Sequence, residues 1–156
     1  MRRARNRGFT VIEAMVVVGI IAILAGFAAP SMNQLIRTQK IRSISYDLFG
    51  DLTFARGEAI SRGHSVSIAS KSGANWVDGW TVRDVTSNLL LRDQGPRSSG
   101  IAFTADATEL VFQPNGRTTV SVAFTIKPVE SAPDDQKRCI RITPSGRPNS
   151  TTGVCP

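Results

Sequence analysis

The chain has one histidine, His64, two cysteines, Cys139 and Cys155, and no acidic residue ahead of Glu13. A lone histidine and two distant thiols supply too few nitrogen and sulfur donors for a zinc-type site. The cysteine spacing is not Cys-x-x-Cys, which removes the usual dithiol redox pair. A Gly-rich phosphate loop and a Gly-x-Ser-x-Gly nucleophile turn are also missing, and the carboxylates show no convincing pairing. The expectation is no enzyme, no metal and no cofactor. There is no internal repeat, no low-complexity tract and no sign of a second globular domain.

Charge of one sign opens the chain: Arg2, Arg3, Arg5 and Arg7 precede Gly8. Across residues 9–29 only Thr10 and Glu13 carry polar side chains. A helix over those 21 residues is about 30 Å long, enough to cross a bilayer core. The expectation is one membrane span over residues 9–29, its N-terminus cytoplasmic by the positive-inside tendency and the rest of the chain beyond that membrane. A cleaved secretory signal shares the basic start and apolar run, and residues 25–29 offer it only a weak small-residue site. Glu13 argues against that alternative, because an ionisable group inside a membrane segment is costly unless it is neutralised or paired. Its simplest partner is a free α-amine, which exists at Phe9 if the chain is cut after Gly8.

The run Gly8-Phe9-Thr10-Val11-Ile12-Glu13, with Pro30 beyond it, resembles the N-terminus of type IV pilins and pseudopilins. The resemblance implies a prepilin leader over residues 1–8, cleavage between Gly8 and Phe9 by a prepilin peptidase, and N-methylation of Phe9. It further implies assembly in which Glu13 pairs with the N-terminal amine of a neighbouring subunit and sets axial register. The implied partners are other pilins or pseudopilins, the prepilin peptidase and inner-membrane lipid, with no small-molecule substrate.

Of the 19 lysines and arginines, four lie in the leader, leaving 15 against 12 acidic residues. The high isoelectric point is thus largely a targeting feature and does not by itself indicate nucleic-acid binding. About 120 residues remain after the anchor, enough for one compact domain with a real core. Cys139 and Cys155 lie in a part of the chain expected to face an oxidising space. A disulfide between them encloses 15 residues, and closing such a loop is worth about 3 kcal/mol.

Beyond Pro30, Met32, Leu35, Ile36, Ile41, Ile44, Leu48, Leu52, Ala55 and Ala59 recur at helical steps. Arg37, Lys40, Arg42, Asp47, Asp51, Arg56 and Glu58 fill other faces. This predicts an amphipathic extension over residues 30–62 that stops at Gly63, with Pro30 bending or locally melting the helix. Then the period becomes two: Ser65-Val66-Ser67-Ile68, Trp80-Thr81-Val82-Arg83, Ile101-Ala102-Phe103-Thr104 and residues 120–127 alternate. Turn signals at residues 71–75, Gly95-Pro96, Pro114-Asn115-Gly116 and Pro144-Ser145-Gly146 separate them. The predicted class is α+β: a long N-terminal helix, transmembrane and then amphipathic, packed on an antiparallel β-sandwich or pair of twisted sheets over residues 63–156. Trp76 and Trp80 are expected to pack around a turn that needs Gly79, and His64 to be an ordinary surface or capping residue.

Four further blocks extend the resemblance: Arg56-Gly57-Glu58-Ala59-Ile60-Ser61-Arg62-Gly63, Trp76-Val77-Asp78-Gly79-Trp80, Phe112-Gln113-Pro114-Asn115-Gly116-Arg117, and residues 138–147 with Arg138-Cys139-Ile140-Arg141 and Ser145-Gly146-Arg147. Their order is similar to that in the GspH/FimT/FimU group, which comprises pseudopilin H of type II secretion and minor pilins of type IV pili, FimT-type proteins implicated in DNA uptake among them. Lys137, Arg138, Arg141 and Arg147 lie close together with no acidic residue between them, and make a candidate contact with double-stranded DNA phosphates. FimT-type tails carry Gly-Arg-x-Arg, and here the second arginine is replaced by Asn149. The expected function is a minor type IV pilin of the FimT/FimU type, anchored in the inner membrane with its C-terminal domain in the periplasm or on a pilus. The alternative is the type II secretion pseudopilin H.

Overall fold

The computed structural model describes residues 8–97, 99–130 and 132–155, without the side chains of residues 27–31 and 33. The chain forms two compact units, Met1–Ile36 and Arg37–Pro156. One helix, α1 (Val11–Arg62, 52 residues), contributes to both.

In the first unit the helix begins at a capping box. The Glu13 amide donates to Thr10 Oγ1 at 3.3 Å, and the Thr10 amide and hydroxyl each stand 3.4 Å from Glu13 Oε2. The backbone is helical through Pro30, so the expected local melting does not occur. Among the described residues no helix is long and apolar enough to cross a membrane. The apolar side chains described as far as Gly26 fall short of the roughly 20 that a crossing takes. Residues 27–29, which the expected span requires, lie outside the described side chains.

In the second unit the predicted stripe is the buried face of the helix: Ile41, Ile44, Leu48, Leu52, Ala55 and Ala59 all lie in the core, whereas its first three members, Met32, Leu35 and Ile36, are exposed in the first unit. The helix ends as expected. Gly63 adopts φ +66° and its amide donates to the Ala59 carbonyl at 3.1 Å, a left-handed stop that glycine takes without a Cβ clash. One assignment on the polar faces is corrected: Asp51 is only 1% exposed. Its charge concealed that it faces the sheet, beside the buried Leu48 and Ala55.

Eight strands follow: β1 (Val66–Ser72), β2 (Asn75–Asp84), β3 (Leu90–Asp93), β4 (Ile101–Ala105), β5 (Glu109–Phe112), β6 (Val122–Pro128), β7 (Arg138–Ile142) and β8 (Pro148–Thr152). They form an antiparallel sheet in the order β5-β1-β2-β4-β6-β7-β8, with β3 also on β2. The ladder is nearly severed at its middle, because β2 and β4 share the single residue pair Asn75–Thr104. The expected sheet pair therefore takes the form of two lobes in one twisted sheet. Aromatic packing closes the seam: Trp76 meets Phe124 edge-on at 4.9 Å between ring centroids, and Trp80 meets Phe103 at 5.6 Å.

Both tryptophans are fully buried, which agrees with their predicted packing role. The turn expected around Gly79 is instead the middle of β2. Gly79 is required there for another reason. Its φ is +96°, and a Cβ would stand 2.1 Å from the Gln94 carbonyl oxygen.

Candidate functional site

Gly8 and Phe9 lie ahead of α1, and both are exposed. A Cβ built on Gly8 meets nothing within 4 Å, so packing among the described residues does not demand glycine there. Phe9 is 72% exposed and Val11 80%. Phe9, Val16, Val17 and Ile20, at helical steps from Glu13, are exposed as well, as are Met15, Val18, Ile21 and Leu24 on other faces, so Glu13 is flanked by apolar side chains that the described residues of this chain do not bury. Glu13 is exposed on the first turn, within reach of its own Thr10.

The second group of predicted residues lies on the β7–β8 hairpin. Cys139 and Cys155 form the expected disulfide, with Cα atoms 5.0 Å apart. It ties the segment after β8 back onto β7, assisted by the Gly153 amide, which donates to the Lys137 carbonyl at 3.1 Å. The four cations do not share one face. Lys137 pairs with Asp134 at 2.9 Å, and Arg138 donates to the carbonyls of Asp135 and Lys137. These two sit at the end of the hairpin where Arg138 pairs with Thr152. Arg141 stands beside Asn149 across the ladder, on the opposite face of β7 from Ile140 and Ile142. Arg147 is exposed in the turn at the other end.

That turn is held by glycine. Gly146 has φ +73°, and a Cβ there would stand 1.9 Å from the Gly116 carbonyl oxygen. The same oxygen accepts from Arg56 Nε at 3.0 Å, and the Thr118 amide donates to the Pro144 carbonyl at 3.2 Å. Helix end, Pro114-Asn115-Gly116 turn and Pro144-Ser145-Gly146 turn are thus stacked in that order. Three of the four sequence blocks that carry the family resemblance meet at this stack.

His64 has a specific partner. Its Nδ1 lies 3.3 Å from Asp84 Oδ2, while Asp84 Oδ1 accepts the amides of Thr86 and Ser87 at 2.9 and 3.0 Å. The Ser87 amide, with His64 and Thr86, holds the Asp84 carboxyl below its usual value of 3.8 against the opposing effect of burial. A carboxyl lowered in the folded state stabilises it above 3.8, and that contribution is lost as pH falls through the folded value. Denaturation midpoints measured between pH 5 and pH 2 should therefore fall less steeply for Asp84→Asn than for the unaltered chain.

Sequence reasoning missed the charged network beneath β3. Asp51 Oδ2 accepts from Trp80 Nε1 at 2.9 Å and its Oδ1 from Arg92 at 2.6 Å. The Arg92 guanidinium also lies over the Phe54 ring at 3.8 Å. Arg97 pairs with Asp47 at 3.1 Å and lies 4.4 Å from the Trp80 ring centroid. The partners are 29 to 50 residues apart, and the only available signal was the four-residue spacing of Asp47 and Asp51 on one helix face.

Two family models match this chain: the type II transport protein GspH over residues 46–146 and the prokaryotic N-terminal methylation motif over residues 3–29. No curated protein sequence matches it. Among solved structures, the type IV minor pilin FimU of Pseudomonas aeruginosa is similar at 23% identity, covering 76% of this chain and 90% of that one with a TM-score of 0.62. A second crystal form of FimU gives 22% identity over 70% and 91%, with a TM-score of 0.61. The minor pseudopilin EpsH from the type 2 secretion system of Vibrio cholerae is similar at 14% identity over 72% and 97%, with a TM-score of 0.57. At these identities the likeness establishes the shared pilin-like fold. The GspH model spans the helix end, both stacked turns and most of the sheet, and with it the chain belongs to the GspH family of pilin-like proteins.

Proposed function

We propose that the chain is made as a prepilin, cut after Gly8, methylated on Phe9, and held by its apolar helix in the inner membrane before entering a filament as a minor type IV pilin of the FimT/FimU type. One observation carries this reading: apolar side chains are exposed around the first unit from Phe9 to Leu24. A contiguous apolar surface of this kind calls for lipid or other helices as its surroundings. Both environments occur in the proposed life of the subunit, first the bilayer and then a bundle of neighbouring helices. Glu13, ringed by those side chains, pairs with the methylated amine of a neighbour and fixes the axial step. Gly8, which packing does not require, is retained for the peptidase. The role is structural and not catalytic.

In the full chain, Glu13→Ala should leave the amount of cleaved protein and the fold of the second unit unchanged while sharply reducing the subunit recovered in sheared filaments. Incorporation equal to the unaltered chain would defeat the register assignment. A second reading, pseudopilin H of type II secretion, is favoured by the description of the matching family. Deletion of the gene separates the two: loss of surface pili supports the first, and loss of protein export with pili intact supports the second. The proposal does not extend to double-stranded DNA, because Lys137 and Arg138 are engaged locally and lie at the opposite end of the hairpin from Arg147.

A further inference from the structure

The two ends of the sheet are finished differently. At one end β5 is a four-residue strand that carries Glu109 and is partly covered where Phe112 bridges to Thr118. On the far side of β2 from β1, the short β3 carries Arg92 and Asp93, the second paired with Lys71. Short strands, charges and a covering bridge are ordinary ways of blocking strand addition. At the other end β8, five residues long, carries no charge, and among the described residues no bridge covers it. Asn149, Ser150, Thr151 and Thr152 are uncharged and exposed, the register with β7 is continuous, and β7 is the strand neighbour of β8 in the sheet order.

A groove of about 440 Å³ runs between this open edge and the helix, lined by Ser45, Tyr46 and Phe49 on α1 and by Pro148, Asn149 and Ser150 on β8. Tyr46 is 75% exposed and Phe49 36%. Arg42, four and seven residues before the two aromatics, is exposed on the same helix face, and Arg147 is exposed immediately before β8. No acidic residue lines the groove. Asp47, the carboxylate next to Tyr46 in the chain, is turned to Arg97. The disulfide and the Gly153–Lys137 backbone bond fix the segment that follows β8, so an added strand meets an edge that is already ordered.

We propose that this groove accepts an extended, acidic segment of another filament subunit as an added strand on β8, with an apolar side chain of that segment against Tyr46 and Phe49 and its carboxylates near Arg42 and Arg147. Backbone bonds along the edge supply the affinity, and the aromatic floor and cationic rim select the partner. That the partner is another subunit rests on the filament reading above; the strand addition itself does not.

The test uses the oxidised fragment 37–156, which contains every core side chain of the second unit. The probe is a synthetic nine-residue peptide of alternating valine and glutamate, followed by fluorescence anisotropy and amide NMR shifts. Expected are saturable, salt-sensitive binding, shifts concentrated at residues 149–152 and beside Tyr46, and affinity about tenfold weaker in Tyr46→Ala and in Arg42→Ala/Arg147→Ala. The same peptide N-methylated on alternate backbone nitrogens should not bind, a control that leaves the protein untouched. Equal binding of the methylated peptide, or no saturation by either, overturns the proposal. Concentration-dependent dimerisation of the fragment through this edge assigns it to a second copy, and binding of an oligothymidine in place of the peptide assigns it to nucleic acid; either overturns it as well. Each of these results leaves the Glu13 experiment standing, so the two readings fail separately.

Discussion

Replacing Asp51 by alanine is expected to cost the second unit about 3 kcal/mol, read as a lower urea midpoint at unchanged slope. The carboxylate is almost wholly buried and serves two donors, Trp80 Nε1 and the Arg92 guanidinium. Truncation leaves the indole N–H without an acceptor in the core and a guanidinium above a vacated site. The lower end of the usual range for broken buried pairs applies because Arg92 is 43% exposed and can turn to water. Asp51→Asn, which keeps an acceptor for Trp80, should lose distinctly less. Equal losses in the two variants would place the effect in the charge alone and remove the indole bond from the account.

Gly146→Ala is expected to be comparably severe, again about 3 kcal/mol, from two causes that add. A left-handed backbone costs a Cβ-bearing residue about 1–2 kcal/mol, and overpacking adds a further 1–3 kcal/mol. The neighbour met by the new methyl is a backbone oxygen, Gly116 O, which cannot swing aside as a side chain would. Gly73→Ala is the matched control: its φ is +59°, but nothing lies within 4 Å of the new Cβ. Only the conformational part should appear there. A Gly146→Ala loss no larger than that of Gly73→Ala would mean that the two stacked turns separate freely.

Much of this architecture was legible because the signals are local. The stripe from Ile41 to Ala59, the stop at Gly63 and the alternation through β6 each follow from spacing within a few residues. The N-terminal motif is a chemical pattern of the same kind. β8 was not legible, because Pro-Asn-Ser-Thr-Thr has no apolar face to alternate; it is a strand through its ladder with β7 and the disulfide behind it. Asp51 was misplaced because a carboxylate on a helix reads as solvated until the strand that buries it is known. The spread of the basic cluster over more than one face was hidden for a geometric reason. Sequence proximity does not reveal which side of a strand a residue occupies, nor that Lys137 and Arg138 lie across a hairpin's length from Arg147.

The near break between β2 and β4 gives this domain a line of mechanical compliance. β4 and β6 share five residue pairs and must unzip in sequence, whereas a pull that spreads β2 from β4 opposes one pair. Resistance there is shared among four aromatic rings, the helix that packs on both lobes and, at one end, the Thr118–Pro144 bond between the stacked turns. The ring faces themselves are held by non-directional apolar contact, with the two indole N–H groups anchored to Asp51 and to the Ala107 carbonyl. A load that parts the two lobes therefore meets side-chain and turn contacts before it meets either ladder, and each lobe can keep its own strand pairing whole.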